Sequence, residues 1–138
     1  MNRNINFNLN YDQPIKIADD VYWVGFYDME LNLHCNPYLI IDNGEAVLID
    51  SGSRPDFPTV LMKILQTGIS PNQIKALIYH HYDPDLCGNI PSFEDIIGAD
   101  NLQLISAKEN MPYIRHYSVS FPLITLEESG FRYSFTSG

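Results

Sequence analysis

The dipeptide Asn43-Gly44, set between two apolar runs, constrains the fold of this chain more than any other feature. The runs cover residues 37–42 and residues 45–50, and both are rich in isoleucine, leucine and valine. A two-residue hairpin turn requires positive φ angles at its central residues, and Asn-Gly adopts them readily. The sequence therefore predicts a β-hairpin over residues 37–50. Residues 21–26, which are β-branched and aromatic, predict one more strand upstream.

Helical and extended patterns alternate after the hairpin. Residues 57–66 place apolar side chains at helical spacing, and Gly68 supplies a stop. The pattern then predicts a strand over 75–79, a short helix over 91–97, a strand over 102–105 and a helix over 106–116 that Pro112 interrupts. Residues 131–138 alternate like a hairpin strand. This order predicts an α/β fold.

Size and charge limit the classes of partner. With 138 residues and 45% hydrophobic composition, the chain can bury one core. The net charge of -9 repels phosphate backbones and anionic lipid headgroups, so we expect no nucleic-acid and no membrane partner. No apolar leader opens the sequence and no run is long enough to cross a bilayer, which predicts a cytoplasmic protein.

Two cysteines, Cys35 and Cys87, are too few for a disulfide scaffold, and we expect both to be buried free thiols. His80 follows the strand predicted over residues 75–79. Because neighbouring residues of an extended segment alternate, we expect His80 to point away from His81 and to lie in packing or at the surface.

The candidate metal ligands are His81, Asp83 and Asp85, which alternate directly after a predicted buried strand. Pro84 disfavours helix at Asp83, and in an extended loop the three side chains would face the same way. One imidazole and two carboxylates suit iron or manganese better than the thiolate sets of structural zinc, although zinc remains open. A solvated turn is the plain alternative. Asp50, which ends an earlier strand, would bring a further carboxylate to the same edge.

These residues resemble the metallo-β-lactamase superfamily, and within it the flavodiiron proteins and their relatives that bind or reduce dioxygen. The resemblance rests on residues 33–40, on Asp50-Ser51-Gly52, and most specifically on residues 81–88, His-Tyr-Asp-Pro-Asp-Leu-Cys-Gly. Most of the superfamily has His-x-His-x-Asp-His in this loop, whereas flavodiiron proteins have His-x-Glu-Pro-Asp-His. Asp83-Pro84 is similar to the second version.

The resemblance implies a metallo-β-lactamase-like αββα sandwich, of which residues 1–138 are the N-terminal portion, with the chain ending within the fold. It implies that His81 and Asp83 serve one iron of a diiron site and Asp85 the other. Leu86 stands where the family has a second histidine and cannot bind metal. The family's remaining ligands would lie beyond Gly138. FMN would be available only through a flavodoxin-like domain or partner that this chain lacks.

Three hypotheses about function follow. The first is a flavodiiron-like non-haem iron domain for reduction of dioxygen or nitric oxide, or for oxygen sensing, with a gas or small molecule as ligand, a redox partner, and no turnover by the chain alone. The second is a metallohydrolase that uses a metal-bound water. The third is a degenerate domain kept for packing or partner binding. An uncovered sheet face in a partial sandwich also predicts a homodimer.

Overall fold

A mixed β-sheet forms the centre of the molecule. The computed structural model describes residues 9–98, 100, 102–117, 120 and 122–138. Within them a seven-stranded sheet has the order β1-β2-β5-β6-β7-β8-β9, and β3 and β4 form a separate two-stranded sheet. The strands are β1 (Ile15–Ala18), β2 (Val21–Trp23), β3 (Phe26–Asp28), β4 (Leu33–Cys35), β5 (Tyr38–Asp42), β6 (Glu45–Ile49), β7 (Ile74–Tyr79), β8 (Gln103–Ser106) and β9 (Leu123–Thr125).

The predicted hairpin is confirmed. Strands β5 and β6 pair antiparallel with Asp42 opposite Glu45, and the turn residues Asn43 and Gly44 have φ angles of 47° and 79°. Those positive angles match the twist of the two strands, which is why Asn-Gly fixes this register.

The sheet changes from antiparallel to parallel pairing at β6. Strands β1, β2, β5 and β6 pair antiparallel, whereas β6, β7, β8 and β9 pair parallel. Carboxyl ends of parallel strands meet at one edge, so the residues after β6 and after β7 are neighbours. That edge carries the candidate site.

Helices cover one face of the sheet. They are α1 (Phe57–Gln66), α2 (Pro84–Cys87), α3 (Ile90–Ile97) and α4 (Met111–Ile114). The helix predicted over residues 57–66 is confirmed with those bounds. Alternate strand residues point to this face, where Leu48, Leu77 and Leu104 pack with Ile64 of α1 and Phe93 of α3.

The opposite face of the sheet is covered in part by the last described segment. Val47, Ala76 and Ile105 form its buried centre, and Leu126, Tyr133 and Phe135 pack against them. The prediction of a strand over residues 131–138 is wrong: these residues lie in turns and irregular backbone. Their alternating aromatic side chains cover the sheet without joining its hydrogen-bond ladder.

Two other predicted elements are broken. The strand predicted over residues 21–26 is divided at Val24-Gly25 between β2 and β3, and at Gly25 the backbone lies so close to Cys35 that a Cβ would be only 2.0 Å from its carbonyl oxygen. The helix predicted over residues 106–116 is reduced to a 3₁₀ turn, Lys108–Asn110, followed by α4, while Ser106 ends β8. Pro112 stands in the first turn of α4, where its missing N–H is tolerated.

Candidate metal centre

The site lies where β6 and β7 end side by side. The main-chain N–H of Asp50 donates to the carbonyl of Ile78 at 2.8 Å, which joins the residue after β6 to β7. Asp50 has a φ of 55°, a left-handed conformation that aspartate tolerates better than most residues. The turn directs its carboxylate to the start of the loop that follows β7.

The buried carboxylate of Asp50 is paired with the exposed imidazole of His80. Oδ2 of Asp50 lies 2.5 Å from Nδ1 of His80, and Oδ1 accepts the main-chain N–H of His80 at 3.3 Å. The Asp50 side chain is 5% exposed and the His80 side chain 70% exposed. Burial raises the pKa of Asp50 above its ordinary value, and His80 opposes that shift.

The structure brings together two of the three predicted ligands. Nδ1 of His81 lies 3.3 Å from Oδ2 of Asp83 and accepts the main-chain N–H of Asp83 at 3.3 Å. Their side chains are 44% and 60% exposed, so both can reach a ligand from solvent. An imidazole and a carboxylate at this distance are a suitable donor pair for iron or manganese.

Asp85 does not continue the extended loop of His81 and Asp83 that the sequence predicts. Asp83 is extended, with φ −60° and ψ 144°, but it is the N-cap of α2, and Asp85 lies in the first helical turn. Pro84 occupies the position where proline starts a helix, and the alternation of side chains therefore ends at Asp83. Across the described ranges, no group of three or more His, Cys, Asp or Glu residues is arranged to hold a metal ion. The donors fit in chemical type, but the described residues do not close a coordination sphere.

Hydrogen bonds hold the loop against the end of β6. The carbonyl oxygen of Leu86 accepts the main-chain N–H groups of Ser51 at 3.1 Å and Gly52 at 3.0 Å, and the Ser51 hydroxyl at 3.2 Å. The Leu86 side chain packs against the main core. The position at which the resembled family has a histidine therefore serves packing in this chain.

The thiols of Cys35 and Cys87 donate hydrogen bonds to main-chain carbonyl groups of the same loop. The Cys35 thiol donates to the carbonyl oxygen of Asp85 at 3.3 Å, and the Cys87 thiol donates to that of His81 at 3.2 Å. Burial raises the pKa of each thiol to about 12. Both cysteines are free and buried, which confirms the prediction.

The His81 ring belongs to an aromatic stack with two tyrosine rings. The Tyr82 ring lies between the His81 ring, with centroids 4.4 Å apart, and the Tyr113 ring, with centroids 4.1 Å apart. Both pairs are nearly parallel. Tyr113 comes from α4, so the stack joins the loop to a distant part of the chain.

The Asp50–His80 pair was missed by reasoning from the sequence. His80 is indeed at the surface, but its ring is bonded to a buried carboxylate 30 positions earlier. The available signal was that Asp50 and His80 each directly follow one of two apolar strands separated by a single helix. Two such strands pair in parallel, and parallel pairing places their ends together.

Comparison with known proteins decides the family. Residues 33–138 match the family described as "ODP family beta lactamase". This chain belongs to that family. The expected metallo-β-lactamase fold is confirmed, and proteins of this superfamily generally bind metal ions.

One curated relative of this ODP family chain is a nitric oxide reductase from Moorella thermoacetica. The two are 27% identical over a 96-residue alignment that covers 61% of this chain and 24% of the relative. The chain thus spans about a quarter of that protein.

Solved structures share the fold. A metallo-β-lactamase with a HARLDQ motif from Cronobacter sakazakii superposes with a TM-score of 0.64 at 20% identity, over 82% of this chain and 45% of that one. The metallo-β-lactamase GOB-18 from Elizabethkingia meningoseptica gives a TM-score of 0.62 at 22% identity, over 86% and 46%. The chain spans less than half of each. No helix among the described residues is long and apolar enough to span a membrane.

Proposed function

We propose that this chain supplies His81, Asp83 and Asp85 to a non-haem iron site in a flavodiiron-like protein that reduces or binds dioxygen or nitric oxide. The observation that carries the proposal is the His81–Asp83 pair at the sheet edge, in which a carboxylate stands where hydrolytic members of the superfamily have imidazole. Carboxylate is a hard donor, and it suits iron in a redox site. The similarity to a nitric oxide reductase gives independent support.

The residues of the chain would bind and orient the metal. His81 and Asp83 would hold one iron, and Asp85 would serve a second; the iron would pass electrons from an external donor to the gas. Completion of the site calls for donors beyond the described set, and electrons would come from a redox partner or an FMN domain. A homodimer belongs to the same proposal.

A non-catalytic binding domain is the second candidate. Its support is the incomplete donor set among the described residues, together with the half-buried Leu86 side chain packed against the core. A metallohydrolase is the third reading, and Asp83 weighs against it.

Metal competition separates these functions. The chain is equilibrated without oxygen with equal Fe²⁺ and Zn²⁺, and bound metal is measured for wild type, Asp83→His and the control Asp95→His, which changes an exposed carboxylate of α3. Zinc binds most sites of this kind more tightly than ferrous iron, so the change in the ratio is the informative quantity. We expect Asp83→His to raise the Zn/Fe ratio about tenfold or more and Asp95→His to leave it unchanged.

The other outcomes are equally decisive. An unchanged ratio in Asp83→His would remove Asp83 from the site and the iron function with it. No bound metal in any variant would favour the non-catalytic domain.

A further inference from the structure

We propose that a cleft between the N-terminal segment, the β3–β4 hairpin and α1 is a docking site for a basic amphipathic helix of a partner protein. The cleft has a volume of about 920 Å³, and its walls include residues 9–12, residues 26–29 and residues of α1. We call it the acidic cleft. The loop that carries the candidate metal ligands does not line it, so the inference does not depend on the proposed function.

Exposed apolar side chains are concentrated on these three elements. Met29 of the hairpin turn is 81% exposed, Met62 of α1 is 47% exposed and Leu9 is 46% exposed, and all three line the acidic cleft. Single exposed apolar residues are ordinary, but a group of them around one concave surface is typical of an interaction site. Methionine side chains are flexible and adapt to the surface of a partner. The hairpin and α1 carry three further exposed leucines: Leu31, Leu33 and Leu65.

The charge of the acidic cleft is negative. Its described lining holds the carboxylates of Asp12, Asp28 and Asp56 and the ammonium of Lys63. Lys63 is 1% exposed and its Nζ donates to two main-chain carbonyl oxygens, so this ammonium is already bonded within the chain. Oδ1 of Asp28 accepts two main-chain N–H groups of the hairpin turn, at 2.9 and 3.0 Å, which holds that carboxylate in place. The cleft thus combines apolar contact area with fixed negative charge.

This combination selects the occupant. A second copy of the chain would bring a net charge of -9 and the same three carboxylates, which would repel those of the first copy. A helix with an apolar stripe and flanking lysine or arginine residues complements both properties. Its stripe would lie on Met29 and Met62, and its cations would pair with the carboxylates.

Binding of a synthetic helix to the full, metal-free chain tests the proposal. The probe is a fluorescein-labelled peptide of leucine and lysine with all leucines on one helical face, and its counterpart has glutamate in place of each lysine. Fluorescence anisotropy measures the affinity. We expect the lysine peptide to bind, the glutamate peptide not to bind, and the affinity for the lysine peptide to fall as salt is added.

A matched pair of charge variants locates the binding. Asp12→Asn/Asp28→Asn removes two charges from the acidic cleft, and asparagine at position 28 still offers an acceptor to the hairpin turn. The control Asp95→Asn/Glu109→Gln removes two charges from exposed positions outside it. We expect the first variant to weaken binding of the lysine peptide by about three- to tenfold and the control by less than about twofold.

A matched pair of apolar variants tests the contact surface. Met62→Gln makes the wall of the acidic cleft polar without adding charge, and the control Ile96→Gln does the same to a residue of α3 that is 41% exposed. We expect Met62→Gln to weaken binding by about fivefold and Ile96→Gln to leave it unchanged. Circular dichroism confirms that each variant is folded.

The remaining outcomes would overturn the proposal. Equal weakening within each pair of variants would show that the peptide senses only the overall charge of the chain, and absence of binding by wild type would remove the docking site. Wild-type dimers that Met62→Gln disrupts, without binding of the peptide, would assign the cleft to a second copy. None of these results would affect the proposed metal site, because no metal is present in the experiment.

Discussion

Asp50 binds His80 through both of its carboxylate oxygens, one to the ring and one to the main chain. The residues are 30 positions apart and meet because β6 and β7 run parallel. A buried carboxylate with two hydrogen bonds to one residue joins the ends of the two strands.

Removal of this joint should destabilise the fold. We expect Asp50→Ala to lower the free energy of unfolding by about 2–4 kcal/mol, because the ring and main-chain N–H groups of His80 lose their acceptor and alanine is forced into a left-handed φ. The control is Asp20→Ala, an exposed residue with a φ of 60°, which should cost about 1 kcal/mol. Urea unfolding measures both. Equal losses would mean that the hydrogen bonds to His80 contribute nothing.

Lys63 is a second buried ionic residue with a structural role. Its side chain is buried; Nζ donates to the carbonyl oxygens of Tyr11, at 2.5 Å, and Gly25, and lies 4.5 Å from the centre of the Trp23 ring. Burial lowers the pKa of Lys63. We expect Lys63→Met to cost about 2–4 kcal/mol, since two carbonyl groups lose their donor.

The matched control for that experiment is Lys75→Met. Lys75 makes one exposed hydrogen bond, to the carbonyl oxygen of Asn72, and its loss should cost less than about 0.5 kcal/mol. Thermal unfolding of the two variants gives the comparison. A Lys63→Met variant as stable as Lys75→Met would show that the buried amine is not a tie between the N-terminal segment and α1.

The two thiols predict a loss of stability at alkaline pH. Their folded pKa of about 12 exceeds the ordinary value of 9.0, so the protonated thiol is favoured by folding. The resulting stability is complete below pH 9 and is lost as the pH rises from 9 through 12. By about pH 12, ionisation of each thiol would lower the free energy of unfolding by about 4 kcal/mol.

Serine does not ionise in this range, so the double variant Cys35→Ser/Cys87→Ser isolates the effect. We expect the free energy of unfolding to fall more steeply above pH 9 in wild type than in the double variant. Parallel pH profiles for the two proteins would contradict the burial of the thiols.

Gly25 is predicted to be intolerant of any side chain. A Cβ there would lie 2.0 Å from the Cys35 carbonyl oxygen and 2.9 Å from Pro37 Cδ, so backbone must move. We expect Gly25→Ala to cost more than about 3 kcal/mol. Gly68→Ala is the control: it meets nothing within 4 Å and suffers only from a φ of 92°, at about 1 kcal/mol. Similar melting temperatures for the two variants would rule out the close approach.

The elements that the sequence predicts correctly are those governed by neighbouring residues. The Asn43-Gly44 turn and the helix Phe57–Gln66 depend on local backbone angles and local spacing. The close approach at Gly25 involves a carbonyl ten positions away, and the alternation in residues 131–138 reflects packing on a sheet formed by earlier strands. Neither contact has a local pattern from which it could be predicted.

In the candidate site, too, some contacts follow from the local sequence and others only from the fold. His81 and Asp83 are two positions apart, and the sequence is enough to bring them together. Asp85 departs from them because Pro84 starts a helix after Asp83, a preference that competes with the extended loop. The Asp50–His80 pair exists only through the parallel pairing of β6 with β7.

Equilibrium binding of Fe²⁺ without oxygen tests the metal site most directly. We compare iron binding by wild type with that by the double variant His81→Ala/Asp83→Ala and by the control His116→Ala/Asp95→Ala, which removes the same two side-chain types from exposed positions outside the 81–85 loop. The account predicts that wild type and control bind iron alike, and that the double variant binds about 100-fold more weakly or not at all. Iron binding by the double variant as tight as that of wild type would contradict it, as would a wild-type chain that binds no iron.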